Sequence, residues 1–149
     1  MSTLPNNTLR LTRLINAPCD RVWAAWTNLD EMKKWSGGDG VETIAWNMDA
    51  HVGGKWRWDL RIPTGETMTA HGEYRELVPG EKLVYTWQWA DDPQWQNHES
   101  LVTIEFHEKG PDTTELRLTH QNFPREVSRN NHLGGWTGAF DKLDRLLTG

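Results

Sequence analysis

Apolar and polar residues alternate along most of this chain, and the period lengthens to three or four residues at only two places, near its two ends. Over 8–16, Leu9, Leu11 and Ile15 alternate with polar or basic neighbours, which predicts a half-buried strand. The pattern then changes. Pro18 suits the first turn of a helix because its missing N–H has no partner to lose there. Asp20 adds negative charge beside the positive end of the helix dipole, and Val22, Trp23 and Trp26 form one apolar face, so 18–27 reads as a helix. A second short helix follows, with Asp30 as candidate N-cap and Met32 and Trp35 on one side. Six strands are predicted next, at 41–49, 55–62, 68–77, 82–90, 99–107 and 114–123. Glycine and proline separate them: Gly53-Gly54, whose positive φ angles would make a tight hairpin, then Pro63-Thr64-Gly65, Pro79-Gly80 and Gly110-Pro111. A long helix over about 124–147 completes the order β-α-α-β6-α.

Short connections make the sheet antiparallel, so each strand shows one face to the core. Trp56, Trp58, Leu60 and Ile62 share a parity, as do Leu83, Tyr85, Trp87 and Trp89. Val102, Ile104 and Phe106 form a third set, and Leu116, Leu118 and His120 a fourth. A seven-stranded sheet with one apolar face needs a cover. The last helix supplies it through a stripe of Leu133, Trp136, Phe140, Leu143 and Leu147, with Asp141 and Arg145 on the water side. Gly135 and Ala139 flank the stripe and leave space for close approach or for a ligand. Gly134 and Gly138 fall on the solvent side, and the sequence offers no physical reason for them. The reading is a single domain over residues 1–149, its core at about 8–148, with no repeat or linker.

Charge and composition narrow the partners. A formal net charge of −5 and the absence of a basic cluster exclude nucleic acid and an anionic membrane surface. No segment has the length of apolar sequence that membrane insertion needs, and the first seven residues lack the apolar centre of a signal peptide. One cysteine, Cys19, forms no internal disulfide and suits a reducing cytoplasm. The unusual count is tryptophan, with ten against two Tyr and three Phe. Trp23, Trp26 and Trp35 read as core, but Trp46, Trp56, Trp58, Trp87 and Trp89 exceed what one helix on one sheet requires. Walls of Trp bind flat apolar or cationic molecules by area, stacking and cation–π attraction.

The six histidines show no spacing of a metal site, and no cofactor motif is present, so no metal, cofactor or catalytic residue is assigned. His120 alone falls on the covered face, where a neutral, hydrogen-bonded imidazole competes with a general base. The expected cavity wall is Trp56, Trp58, Trp87, Phe106 and His120 from the strands, with Trp136 and Phe140 from the helix. The loops 36–40 and 91–97 are expected at its mouth, where Trp95 would cap it or mark an interface.

Four features in order carry a resemblance: Ala17-Pro18 with Val22-Trp23, the Gly53-Gly54 pair, Gly72 followed by Pro79-Gly80-Glu81-Lys82-Leu83-Val84-Tyr85-Thr86-Trp87, and Gly135-Trp136. The chain resembles the activator of heat-shock-protein-90 ATPase homologue-like family of the START-like, or SRPBCC, superfamily. That resemblance implies an α+β helix-grip (Bet v 1-like) fold, with a curved seven-stranded antiparallel sheet wrapped around the C-terminal helix and a hydrophobic cavity between them. His51 stands where the family often has Arg, and Asn122 where a His-x-Gly-Phe-like run has Gly. The fold hosts several functions. A carrier or sequestering protein for an apolar or aromatic small molecule leads here, lipid and stress-related ligands included. A polyketide cyclase- or hydrolase-type enzyme in the same cavity is the alternative. A chaperone-interacting module, with weak contact and no ATPase activation because the chain begins with the helix-grip module, is the third. A homodimer through outward tryptophans is compatible with each.

Overall fold

The computed structural model describes residues 7–37 and 40–148. Strand β1 (Thr8–Ile15) leads into helices α1 (Cys19–Thr27) and α2 (Leu29–Trp35). Six strands follow: β2 (Glu42–Met48), β3 (Lys55–Arg61), β4 (Thr67–Val78), β5 (Lys82–Trp89), β6 (Ser100–Gly110) and β7 (Thr113–Gln121). Helix α3 (Glu126–Thr148) completes the order. The sheet runs β1-β7-β6-β5-β4-β3-β2, and all neighbours are antiparallel. β1 and β2 are therefore opposite edges, and α1 and α2 carry the chain from one to the other. This is the α+β helix-grip architecture.

Local chemistry corrects several element boundaries. Pro18 precedes α1 rather than lying in its first turn: its backbone is extended at φ −60° and ψ 148°. Its carbonyl accepts from the N–H groups of Arg21 and Val22 at 3.0 and 3.1 Å. Asn28, not Asp30, caps α2, because its side-chain oxygen accepts from the Glu31 N–H at 3.2 Å while Asp30 lies inside the first turn. Of the glycine pair only Gly53 has positive φ, at +86°. Gly54 is required by crowding instead, since a Cβ there would sit 1.9 Å from the Asp49 carbonyl oxygen.

Sheet parity holds along β3, where Trp56, Trp58 and Leu60 are buried between more exposed neighbours. In β4 the pairing shifts between Tyr74 and Glu76, so after the inward Tyr74 it is Leu77 that pairs with buried Leu83. On α3 the covered stripe is His132, Trp136, Ala139, Phe140 and Leu143. Leu133 is 42% exposed and does not belong to it, because one residue rotates a helix position by about 100°.

Helix α3 leans on β1 and on α2, while the β3–β5 half of the sheet lies farther from its backbone. The core is closed on the β1 side by Ile15, Leu116, Leu118, Phe140 and Leu143, each 0 or 1% exposed. On the other side, helix and sheet diverge.

Candidate functional site

The divergence leaves a cavity of about 320 Å³. Its floor is Trp58, Leu60, Met68, Tyr85, Trp87 and Trp89 from β3, β4 and β5, with Trp46 from β2. Its roof is α3, through Ser128, Asn131, His132, Gly135, Trp136 and Ala139. α1 and α2 close one end with Trp26, Met32 and Trp35, and the β5–β6 loop borders it with Asp92 and Trp95. Ser36, Gly37 and Val41 also contribute; Gly38 and Asp39, in the loop expected at the mouth, lie outside the described residues. Eight of the ten tryptophans line this space.

The indoles brace one another. Trp46 stacks on Trp58 with centroids 5.6 Å apart and planes 13° from parallel. Trp26 stacks on Trp136 at 6.1 Å and 26°. Ring pairs of this kind are worth about 0.5–1.5 kcal/mol beyond their area. Many of their N–H groups are engaged with the protein. Trp35 donates to the Ala25 carbonyl at 2.9 Å, Trp58 to Thr43 Oγ1 at 3.0 Å and Trp89 to His132 Nε2 at 2.9 Å. The indole nitrogens of Trp26, Trp46 and Trp87 are buried with no hydrogen-bond partner among the described residues.

His120 lies behind the wall and is fully buried. Trp136 Nε1–H donates to its Nδ1 at 3.0 Å. Ser100 Oγ donates to the Trp87 carbonyl at 2.9 Å, so the 2.7 Å contact between His120 Nε2 and that oxygen makes Nε2 the donor. Both ring nitrogens are thus engaged in one defined tautomer. Burial, then the neighbouring His132, holds the imidazole well below its ordinary pKa. A neutral ring with no free nitrogen is a strut, and the general-base reading fails on geometry.

His132 faces the cavity and sits among Trp87, Trp89, Trp95 and Phe123, with centroid distances of 4.9 to 5.9 Å. Burial lowers its pKa to about 4. Burial also pushes the Tyr85 phenol far up, so this wall residue stays protonated.

Of the residues the sequence places around the cavity, Trp58, Trp87 and Trp136 do line it. Trp56 does not: its indole reaches across to the Thr86 carbonyl at 3.1 Å. It passes Gly72, where a Cβ would lie 2.6 Å from the indole nitrogen. Phe106 packs beneath α1 against Trp23 and Trp26, at 5.1 and 6.4 Å. Phe140 is enclosed between Trp26 and Trp136, each 6.1 Å away. Trp26 and Trp35 are both core and wall, whereas Trp23 is only half-buried. Trp95 caps the cavity from a 3-10 turn (Pro93–Trp95) and is 2% exposed. Asp92 comes from the loop 91–97 expected at the mouth, whereas His132 lines the cavity without being read from the sequence; its position four residues before Trp136 is the available signal.

Comparison with known proteins agrees with this architecture. The family model for Activator of Hsp90 ATPase homolog 1-like protein matches residues 16–148. The chain belongs to that family. Among solved structures, a protein from Chromobacterium violaceum is 27% identical with a TM-score of 0.86, over 96% of this chain and 98% of its own. The family's Silicibacter pomeroyi structure is 24% identical, TM-score 0.81, over 94% and 96%. One from Nitrosomonas europaea, at 20% and 0.80 over 97% and 96%, shares the fold. No protein of curated function matches the chain.

Asn122, where the resemblance leads one to expect Gly, follows the end of β7. It has a left-handed φ of +66°, which Asn tolerates better than most residues. Its side-chain amide donates to the Glu99 carbonyl at 2.8 Å, a bond that glycine could not make.

Proposed function

We propose that this family member binds a small, largely apolar, aromatic molecule in the cavity under α3, as a carrier or sequestering protein. The observation that carries the reading is an open space of about 320 Å³ between α3 and the sheet, walled by eight tryptophans. Protein interiors pack to crystal density, and apolar wall that faces open space rather than packed side chains forgoes dispersion contacts. A fold that keeps such a void gains the contacts back when a ligand fills it. Volumes from about 300 Å³ upward suit drug-sized molecules.

The walls favour binding over turnover. His120, the histidine offered as a base, does not border the cavity and has both nitrogens bonded. Titration with a panel of small neutral aromatics, followed by intrinsic tryptophan fluorescence, tests the proposal. A saturable change with one ligand per chain supports it. A panel without any saturable change would count against it.

A further inference from the structure

The sign of the ligand's charge follows from what the wall presents. Among the described residues, no Lys or Arg lines the cavity. Asp92 is the one charged side chain that lines it among the described residues. One Asp92 oxygen accepts from the Gln94 N–H at 3.0 Å, and this is the carboxylate's single hydrogen bond among the described residues. No cation pairs with it there, so the second oxygen is free at the cavity's border. His132 adds no positive charge at neutral pH, since burial holds its pKa at about 4.

The tryptophans reinforce this electrostatic bias. Trp26, Trp46 and Trp87 border the space, yet their indole nitrogens have no accessible surface in it. Those of Trp35, Trp58, Trp89 and Trp136 are bonded to protein acceptors. Seven of the eight lining indoles therefore offer ring carbon, not a free N–H, to a ligand. Aromatic faces carry the negative side of the ring quadrupole and attract cations, most strongly for Trp. Among the described residues an anion would meet π-faces, a carboxylate and the neutral polar groups of Tyr85, Ser128 and Asn131, with no basic side chain to offset its desolvation.

We infer that the cavity selects a cation: a protonated amine or quaternary ammonium group on a compact aromatic body. This rests on the ligand-binding reading above and specifies its charge. The ammonium end lies toward Asp92 and toward Trp89 and Trp95, which both pack on His132, and the aromatic end lies toward Trp46, Trp58 and Leu60.

Three probes of one shape separate the outcomes at pH 7: phenyltrimethylammonium, its neutral carbon isostere tert-butylbenzene, and the anion benzenesulfonate. Tryptophan fluorescence titrations should give the cation about tenfold tighter binding than the isostere, and no saturable binding of the anion. Asp92→Asn keeps an oxygen to accept from Gln94 and removes the charge. It should weaken the cation roughly three- to tenfold and leave the isostere unchanged. Equal or tighter binding of the isostere, or saturable binding of the anion, would overturn the cation assignment while leaving a ligand-binding cavity. Equal weakening of cation and isostere by Asp92→Asn would also overturn it. If none of the three binds saturably, the cavity reading falls with it.

Discussion

Trp136 on α3 donates its indole N–H to Nδ1 of His120 on β7, a 3.0 Å bond that fixes the helix to the sheet at the edge of the cavity. The chain continues through Ser100 to the Trp87 carbonyl, so two wall tryptophans are held by one relay. Replacing His120 with Leu leaves the Trp136 N–H buried without an acceptor and removes the donor to Ser100. We expect a loss of about 2–4 kcal/mol in urea unfolding. A loss below about 1 kcal/mol would show that the relay is not a fixed part of the fold.

Neutral buried histidines make stability fall in acid. His132 has its pKa depressed to about 4 in the fold, against about 6.5 when unfolded. Between these values the unfolded chain binds a proton that the folded chain does not, so the stabilisation present above pH 6.5 is lost as pH falls toward 4. His120 acts in the same direction. Urea midpoints at pH 7, 6 and 5 should decline more steeply for the natural protein than for His132→Phe. Parallel declines would contradict the buried neutral ring.

Phe140 is fully buried between Trp26 and Trp136. Phe140→Ala should cost about 3–5 kcal/mol, enough to unfold many domains of this size at moderate temperature. Near-natural thermal stability of this variant would contradict the packing of α3 described above.

Asn122 combines a left-handed backbone with the side-chain bond to Glu99. Asn122→Ala forfeits both and should cost about 1–2 kcal/mol, while Asn122→Gly should cost less because it keeps the conformation. The reverse ranking by thermal denaturation would show that the side-chain bond outweighs the backbone.

Alternation of two found Trp58 and Trp87, and helical spacing found Trp136, because side-chain direction in a regular element follows from position alone. The same rule placed Trp56, Phe106, His120 and Phe140 on the covered face, where they are buried. It could not say which part of that face stays open. That depends on α3 leaning toward β1 and away from β3–β5, a tertiary choice with no local signature. The apolar stripe includes Leu133, whereas the helix turns Leu133 outward and His132 into the cavity. Trp95 is expected at the mouth from its loop between β5 and β6, but that segment has no period from which the direction of Asp92 could be read.

If the space beside Gly135 is a binding site, a bulky side chain at that position competes with the ligand. Gly135 borders the cavity, and a Cβ there would meet nothing within 4 Å, so a larger side chain fits at its rim. Gly135→Phe should leave the fold intact, since a mid-helix glycine is itself unfavourable by roughly 0.8–1 kcal/mol relative to Ala. The decisive measurement is the fluorescence of the neutral probe N-phenyl-1-naphthylamine titrated with each protein. We expect a saturable, one-to-one enhancement with the natural chain and its loss in a folded Gly135→Phe variant. Equal enhancement by both proteins, or none by the natural chain, would contradict a binding site there.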